Sequence, residues 1–415
     1  MPHIVFVAPH FLENTNRYVR AFASLPGVTL SVISDDPASA IPKALKPRIA
    51  GHYRVPNCLD GHELATALRF FSRTVGTVDR LTGALEQLQL PMGIARDLVG
   101  IEGIGQEVAR NFRDKDRMKR VLRSHGIPVA RSGLVTSIAA LRAFCDAVGF
   151  PVIVKPQAGL GAKATFRVSS EEDITALAEQ GLTPSLAKPL QAEEFVRARE
   201  HTCETVTIRG KAIWRSGTRY LPSPLEVLEN PWMQYCVLLP REDDDSPWAK
   251  FAPINEAALS ALFGKDANTA AGTALSHMEW FLKDDGTALV NEVGVRPPGV
   301  AIMPLMSLAH ETDFIAAWAE LIALDRFEPK KRSWAAGAAF LRGHGAGTRV
   351  AQVSGVGAAT QAAGDSLVEL RLPKVGDPRS ESYEGEGVAI VRHATTEGAK
   401  RALLAIIENI QVRYA

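Results

Sequence analysis

The sequence predicts an α/β domain at the N-terminus followed by α+β structure, and two observations support this. An apolar run from Ile4 to Ala8 is followed by a helical pattern, Asn14 to Phe22, and a second apolar run, Val28 to Ile33. Strand, helix and strand within about 30 residues make a βαβ unit, which implies a parallel sheet. After Lys331, several strand-like runs and a closing helix, Thr396 to Glu408, predict a small α+β unit.

Composition and charge exclude several classes of protein. The 415 residues are 46% hydrophobic and 22% charged, as in a soluble globular protein of about two to three domains. The net charge of +1 gives no electrostatic footprint for nucleic acid or an anionic membrane. The apolar runs are too short for a signal peptide or a membrane span. We therefore expect a cytoplasmic protein that binds neither nucleic acid nor membrane, and the sequence allows a homodimer.

The four cysteines are scattered along the chain. They lack the paired spacing of a zinc site or of a disulfide framework, and this fits a reducing compartment. The residues are Cys58, Cys145, Cys203 and Cys236.

A β-hairpin is predicted around Asp285-Gly286, because this dipeptide between two apolar runs suits a type I′ turn. With these two residues at the centre, Glu279 lies opposite Glu292. Side chains alternate along a strand, so both carboxylates point to one face of the hairpin. The same register pairs Asp284 with Thr287, Leu282 with Leu289, and Trp280 with Asn291.

The opposed carboxylates of Glu279 and Glu292 predict a cation site. Like charges facing each other repel, so a positive group is expected between them. Mg²⁺ takes one or two carboxylates and leaves its other positions to water and phosphate oxygens, which favours a metal-nucleotide site. Arg296 keeps the parity of Glu292 and would hold an anion on the same face. The alternative is a surface hairpin with two solvated glutamates, and the hairpin alone does not decide between them.

Two further segments carry lysines beside predicted elements. Asn111 to Leu122 has the pattern of a basic amphipathic helix, with Asp114 as its N-cap. A predicted strand ends on Lys155 and is followed by the glycine-bearing loop from Ala158 to Lys163. Glycines let backbone amides approach phosphate oxygens closely, although simple hairpin flexibility is the alternative. The loop is not a Walker A motif, because no helix follows it. The stretch from Leu221 to Asp245 is predicted to be an irregular loop.

Taken together, these motifs resemble the ATP-grasp superfamily, and they agree with it in order and spacing along the chain. Phe112 to Lys119 is similar to the segment of the first nucleotide-binding lysine, and Val154 to Pro156 to that of the second. Glu193 to Val196 resembles the hinge whose backbone meets adenine, and Glu200 stands where the ribose lies. The resemblance implies ATP contacts at Lys115, Lys155, Gly159, Gly161, Lys163, Glu193, Glu194, Phe195, Val196 and Glu200. It implies Mg²⁺ ligands, with Mn²⁺ as an alternative ion, at Glu279 and Glu292, and catalytic roles for Arg296 and Lys155.

The resemblance also divides the chain into three domains. Residues 1–112 form an α/β N-terminal domain, and residues 331–415 form a small α+β C-terminal cap. Between them, 113–330 form a two-lobed α+β ATP-grasp core with lobes 113–192 and 193–330. One position departs from the family, since many relatives carry Asn two residues after the second metal carboxylate and this chain has Gly294. Three alternatives stay open: a metal ligand is missing, water replaces it, or Asn291 supplies it, which requires a bulge in the strand.

The activity implied by the resemblance is that of an ATP-dependent carbon-nitrogen ligase. Such an enzyme activates a small-molecule carboxylate as an acyl phosphate, joins it to an amine, and releases ADP and phosphate. An amino-acid or similar carboxylate-amine ligase is the expected type. Two alternatives stay open: a biotin-carboxylase-like enzyme that activates bicarbonate, and a nucleotide-binding regulatory protein without turnover.

Overall fold

The N-terminal βαβ pattern forms a parallel four-stranded sheet in the order β3-β2-β1-β4. The computed structural model describes residues 1–157, 165–179, 182–230, 232–242 and 247–415. Helices flank the sheet, and β1 is buried along its whole length, as expected for a parallel sheet covered on both faces. The elements are β1 (His3–Val7), α1 (Glu13–Ala23), β2 (Thr29–Ser34), β3 (Gly51–Arg54), α2 (Gly61–Thr74), β4 (Arg80–Thr82), α3 (Gln89–Val99) and α4 (Gln106–Arg113).

A second, smaller sheet follows, in the antiparallel order β5-β8-β6-β7. One of its faces packs on α6 and α7 through a core that includes Leu141, Val152, Val154 and Ile174. The elements are α5 (Lys115–Ser124), β5 (Ser132–Val135), α6 (Ile138–Val148), β6 (Val152–Pro156), β7 (Phe166–Val168), α7 (Glu171–Glu179) and β8 (Leu190–Glu194).

An eight-stranded antiparallel sheet dominates the rest of the chain, in the order β13-β12-β9-β10-β11-β14-β18-β17. Along the chain, the elements up to residue 324 are β9 (Arg199–Ile208), β10 (Lys211–Leu221), α8 (Pro224–Glu229), β11 (Tyr235–Leu239), α9 (Pro247–Phe263), β12 (Ala274–Leu282), β13 (Ala288–Gly294), α10 (Ile302–His310) and α11 (Phe314–Leu324). They are followed by β14 (Ala335–Leu341), β15 (Gly343–His344), β16 (Val350–Ser354), α12 (Val356–Ala363), β17 (Leu367–Arg371), β18 (Gly387–His393), α13 (Thr396–Asn409) and β19 (Gln411–Tyr414). Strands β15, β19 and β16 make a separate three-stranded sheet.

The largest core joins the N-terminal sheet to the eight-stranded sheet. The rings of Phe22 and Tyr18 on α1 pack edge-on against Trp318 on α11, with ring centroids 5.5 and 5.4 Å apart.

The eight-stranded sheet continues from β11 to β14 without a break, and β8 spans residues 190–194. The β11–β14 pair thus crosses the proposed domain limit at 330, and β8 crosses the one at 192. The domain limits at 112, 192 and 330 stay a prediction.

The sequence prediction was wrong for the stretch from 221 to 245. Its described part contains α8, which a capping box between Ser223 and Glu226 begins, and β11, a central strand. The five residues of β11 are buried without exception, as in a strand covered on both faces. Such a short apolar run is hard to recognise inside a stretch rich in Pro, Glu and Asp.

The β12-β13 hairpin confirms the pairing of Glu279 with Glu292 but not the predicted turn. The turn has three residues, Asp284 to Gly286, with the Lys283 amide donating to the Thr287 carbonyl at 2.9 Å. It therefore pairs Leu282 with Ala288 and Trp280 with Val290, one residue away from the predicted register. A β-bulge then leaves Asn291 without a partner and restores the predicted pairing beyond it.

Candidate active site

A cleft of about 800 Å³ lies between the two antiparallel sheets, and single residues of the N-terminal and C-terminal parts of the chain also line it. It is lined by residues that the sequence analysis singled out: Lys115, Lys155, Glu193, Glu194, Phe195, Val196, Glu200, Glu279, Glu292 and Arg296. Gly159, Gly161 and Lys163 lie outside the described residues. The chain thus brings together groups that are up to about 180 positions apart, and their contacts define the chemistry.

Two lysines of the cleft are held by carboxylates. Lys115 is the first residue of α5, where the side chain of Asp114 caps the helix by accepting from the Arg117 amide. Its Nζ lies 2.5 Å from Oε1 of Glu292. Lys155 ends β6, and its Nζ lies 3.1 Å from Oε2 of Glu193. Both ammonium groups are therefore fixed at the cleft wall by ion pairs from a different element.

A third lysine, Lys119, was missed by the sequence analysis. It lies one helical turn after Lys115, is 1% exposed, and places Nζ 2.9 Å from the same oxygen of Glu193 that Lys155 contacts. Burial opposes the charge on Glu193, but Lys119 and Lys155 outweigh it and lower the pKa of Glu193 to about 2. The spacing of four residues from Lys115 was the available signal, because it places both lysines on one helix face.

The hairpin carboxylates have different surroundings. Burial opposes ionisation of Glu292, but Lys115 and Lys155 lower its pKa overall. Oε1 of Glu279 accepts a hydrogen bond from the Tyr220 hydroxyl at 3.5 Å and lies 3.7 Å from Nε2 of His277. The positive partner expected between the two glutamates is therefore supplied in part by the chain itself, through Lys115 and His277.

His277 is buried between two carboxylates. Its Nδ1 lies 2.8 Å from Oε1 of Glu204, a residue with no solvent exposure. Burial opposes the charge on the ring, but the contacts with Glu204 and Glu279 outweigh it and raise the pKa of His277 to about 9. Across the ladder, His277 pairs with Gly294, the position at which the sequence departs from the ATP-grasp resemblance.

Arg296 is positioned by a residue of the N-terminal part. Its Nη2 and Nε lie 2.7 and 3.1 Å from Oε2 of Glu86, whose other oxygen pairs with Arg113. Glu86 lines the cleft from a 3₁₀ turn just before α3. No sequence motif marked it, because its partner is 210 residues away.

The adenine hinge and ribose position predicted from the resemblance also lie at the cleft. The Phe195 amide donates to the Pro151 carbonyl at 3.3 Å, and the guanidinium of Arg167 stacks on the Phe195 ring at 4.1 Å. The carboxylate of Glu194 is bound by Arg131 at 2.7 Å. At Glu200, burial and the nearby charge of Glu279 raise the pKa well above its usual value.

Comparison with known proteins agrees with this architecture. Residues 114–204 match a family model described as the ATP binding domain of the carbamoyl-phosphate synthase L chain. An L-amino acid ligase from Bacillus licheniformis superposes with a TM-score of 0.75 at 15% identity, over 100% of this chain and 99% of the other. An N5-carboxyaminoimidazole ribonucleotide synthetase from Thermotoga maritima superposes with a TM-score of 0.68 at 18% identity, with all of both chains covered.

The chain has the ATP-grasp fold. The sequence prediction of this fold, with an α/β part before an α+β core and further α+β structure after it, is confirmed. Among curated proteins, the L-arginine-specific L-amino acid ligase of Bacillus subtilis is 27% identical over 232 residues, 55% of this chain and 54% of the relative. The chain thus spans about half the length of that relative. No helix in the described part of the chain is long and apolar enough to cross a membrane.

In this ATP-grasp fold, Glu279 and Glu292 suit Mg²⁺ bound together with a nucleotide. They face each other on one side of the hairpin ladder and line the cleft. In the ranges that the structure describes, no group of three or more His, Cys, Asp or Glu side chains gathers around one point. Two carboxylates alone do not make a protein-only metal cage, but Mg²⁺ takes its remaining ligands from phosphates and water. The donor set fits the ion in that role.

Proposed function

We propose that the chain is an ATP-dependent carboxylate-amine ligase, a carbon-nitrogen ligase that forms and consumes an acyl phosphate. The observation that carries this proposal is the convergence in one cleft of Lys115, Lys155, Arg296 and the opposed pair Glu279 and Glu292. A protein that only binds a nucleotide has no need of this full phosphoryl-transfer set. Catalysis of phosphoryl transfer consists mainly of positioning and charge stabilisation, which these groups supply.

The first step transfers the γ-phosphoryl group of ATP to a substrate carboxylate. The bond between the γ-phosphorus and the bridging oxygen breaks, a bond to a carboxylate oxygen forms, and ADP leaves. Lys115 and Lys155 provide point charges for the phosphate oxygens, and the planar guanidinium of Arg296 can hold two oxygens of the moving group. Mg²⁺ held by Glu279 and Glu292 would neutralise charge on the phosphates.

The second step joins the acyl group to an amine. The neutral amine nitrogen attacks the acyl carbon, the bond from that carbon to the phosphate oxygen breaks, and inorganic phosphate leaves while the nitrogen gives up a proton. Glu86 holds Arg296 in place during both steps, because both nitrogens on one edge of the guanidinium bind its Oε2.

The substrates we propose are small molecules of the amino-acid class. This choice is supported by the curated relative, an L-amino acid ligase that matches just over half of the chain. A bicarbonate-activating enzyme is the rival, since N5-carboxyaminoimidazole ribonucleotide synthetases have the same fold.

The test is a screen of carboxylates against amines with ATP and Mg²⁺, reading ADP and phosphate separately from AMP and pyrophosphate. We expect ADP and phosphate to appear only when an acid and an amine are both present. Release of AMP and pyrophosphate would indicate that the intermediate is an acyl adenylate instead of an acyl phosphate, and would overturn the proposed route. ATP turnover driven by bicarbonate, and increased by free biotin, would favour the biotin-carboxylase-like rival.

A matched pair of variants distinguishes turnover by this chain from a contaminating activity. Lys155→Ala removes a cleft lysine, and Lys265→Ala removes a lysine in an exposed 3₁₀ turn. Activity should disappear in the first and persist in the second.

A further inference from the structure

The C-terminal part of the chain contributes two residues to the cleft, Tyr383 and Glu384. They lie in the segment between β17 and β18, and the reaction described above gives neither of them a role. The ring of Tyr383 meets Tyr235 edge-on at 5.4 Å, and Tyr235 stacks on Phe340 at the same distance. Because Tyr235 is fully buried, it gives the Tyr383 ring a fixed support at the cleft wall.

The segment is anchored immediately after these residues. The carboxylate of Glu386 accepts from the amides of Ser380 and Gly343, at 2.9 and 3.0 Å, and from the Tyr414 hydroxyl. The Glu386 amide donates to the Leu341 carbonyl at 2.9 Å. This network ties the segment to β14, β15 and β19, so Tyr383 and Glu384 are presented to the cleft by a braced turn.

Most carboxylates that line the cleft have a partner in the protein. Glu86 pairs with arginines, Glu193 and Glu292 with lysines, Glu194 with Arg131, Glu279 with Tyr220 and His277, and Glu226 with the Ser223 amide and hydroxyl. Glu384 differs. In the described ranges, no Lys, Arg or His nitrogen lies within 4 Å of its carboxylate, and Arg371, whose charge acts on it from farther away, is bound to Glu369.

Glu200 is the other lining glutamate whose carboxylate has no hydrogen-bond or ion-pair partner among the described residues, and the ATP-grasp resemblance already places it near the ribose. Glu384 therefore remains as a half-buried carboxylate with no assigned ligand. Burial raises its pKa, as expected where a charge lacks a counterpart. An ammonium or guanidinium group would supply that counterpart through a charge-assisted hydrogen bond. The adjacent Tyr383 ring adds the aromatic face on which such a cation is favourable.

We propose that Glu384 and Tyr383 form a recognition site for a positively charged group, an ammonium or guanidinium, on one of the two substrates of the ligase. The proposal rests on the proposed function and narrows its substrate class. The cation can be the α-ammonium of the amino acid whose carboxylate is activated, or a charged side chain on either substrate.

The experiment compares isosteric substrates that differ in charge. Lysine against norleucine and arginine against citrulline test a side-chain cation, each supplied first as the acid and then as the amine. Alanine against lactate as the acid tests the α-ammonium. For at least one pair, kcat/KM should favour the charged member in the native protein, and Glu384→Gln should reduce that preference about tenfold or more, the equivalent of losing one charged contact. The KM for ATP should not change.

Matched variants give the controls. Glu381→Gln changes an exposed carboxylate of the same segment and should leave the preference intact. Tyr383→Leu should reduce the preference through loss of the aromatic face, while Tyr383→Phe should keep it. Equal losses on charged and neutral substrates in Glu384→Gln, with an altered pH profile, would make Glu384 a proton acceptor for the amine and overturn the recognition role. A native protein that shows no preference for any charged member would also overturn it.

A binding measurement keeps the test independent of turnover. With MgADP present, lysine or arginine should raise the melting temperature of the native protein more than norleucine or citrulline does, and Glu384→Gln should remove the difference. If the screen detects no ligation at all, the proposed function fails, and this melting comparison still decides whether a cation is recognised.

Discussion

Two parts of the cleft balance their charges in different ways. At the proposed phosphate end, the chain pairs Lys115 with Glu292, and Lys155 with Glu193, within 3.1 Å. On the part of the wall that the segment between β17 and β18 contributes, Glu384 has no cation within 4 Å among the described residues. When a nucleotide binds, its phosphates must therefore compete with Glu292 and Glu193 for the lysines that these carboxylates already bind. A substrate cation at Glu384 meets a carboxylate without such a pair.

The ion pairs at the phosphate end affect the positioning of the lysines and the affinity for a nucleotide in different ways. A lysine held by a buried carboxylate is ordered before the phosphate arrives, which lowers the cost of fixing its side chain. The free energy that this lysine contributes to phosphate binding is smaller, because one ion pair replaces another. Substitutions at the phosphate end should thus reduce the rate of the chemical step more than they reduce stability, and the following predictions test this from the largest effect to the smallest.

Lys155→Ala should reduce turnover by about 10²–10³-fold, the range found when one preorganised donor to a transition-state charge is removed. The fold should survive, because Glu193 keeps Lys119 at 2.9 Å as a partner. Steady-state kinetics and calorimetry with ATP check the prediction, with Lys265→Ala as the exposed control. Unchanged nucleotide affinity and turnover would remove Lys155 from the site.

Glu292→Gln should reduce turnover by about 100-fold if a cation held there stabilises the transferred phosphoryl group. It should also lower the melting temperature without ligand, because Lys115 loses the carboxylate at 2.5 Å. Glu279→Gln should lower that melting temperature less, since the cation beside Glu279 among the described residues is the His277 ring at 3.7 Å, a longer contact than the one between Lys115 and Glu292.

The double variant Glu279→Gln with Glu292→Gln should cost little activity beyond either single variant, because residues that serve one ion act as a unit. Melting curves and ATP turnover across a Mg²⁺ series measure both effects. Simple addition of the two losses, with a native Mg²⁺ response in each single variant, would show that the carboxylates act independently.

Arg296→Lys should reduce kcat by about tenfold or more although the charge is kept, because an ammonium cannot bind two oxygens in the planar manner of a guanidinium. Glu86→Gln should give a smaller loss in the same direction, since it weakens the contacts at 2.7 and 3.1 Å that orient Arg296. Comparing kcat at saturating ATP and Mg²⁺ across both variants checks this. Near-normal turnover in Arg296→Lys would leave Arg296 as a structural partner of Glu86.

The sequence was most informative where the chemistry is local. The cap at Asp114 and the facing of Glu279 and Glu292 follow from short-range rules, and both occur in the structure. The pairing of Glu279 with Glu292 was predicted correctly although the hairpin differs from the prediction at two places, the three-residue turn and the bulge at Asn291, whose shifts in register cancel. Turn type and bulges depend on packing of the whole sheet, so one hairpin sequence does not determine them.

The residues that sequence reasoning missed act through distant partners. Lys119 resembled one more charge in a basic helix until β8 placed Glu193 beside it. Glu86 and Glu384 reach the cleft from the two ends of the chain, and neither belongs to a motif. Such contacts are set by how the sheets dock, which residue patterns within a single element do not encode.

The smallest effect is expected at Gly294. The ATP-grasp resemblance predicts Asn there, and a Cβ added at Gly294 would meet only the Cγ of Arg296 at 3.8 Å, an ordinary contact distance. The Gly294→Asn variant should therefore fold normally. Because Glu292 lies two residues earlier on the same strand, the new amide oxygen should lie on the same face as the Glu292 carboxylate. An added oxygen ligand should lower the Mg²⁺ concentration for half-maximal turnover about threefold, less than 1 kcal/mol of binding free energy. It should also increase the Mg²⁺-dependent rise in melting temperature with ADP. Gly294→Ala is the matched control, since it adds the Cβ without the ligand. Equal Mg²⁺ curves for the Asn and Ala variants would show that a side chain at this position does not reach the ion that Glu279 and Glu292 hold.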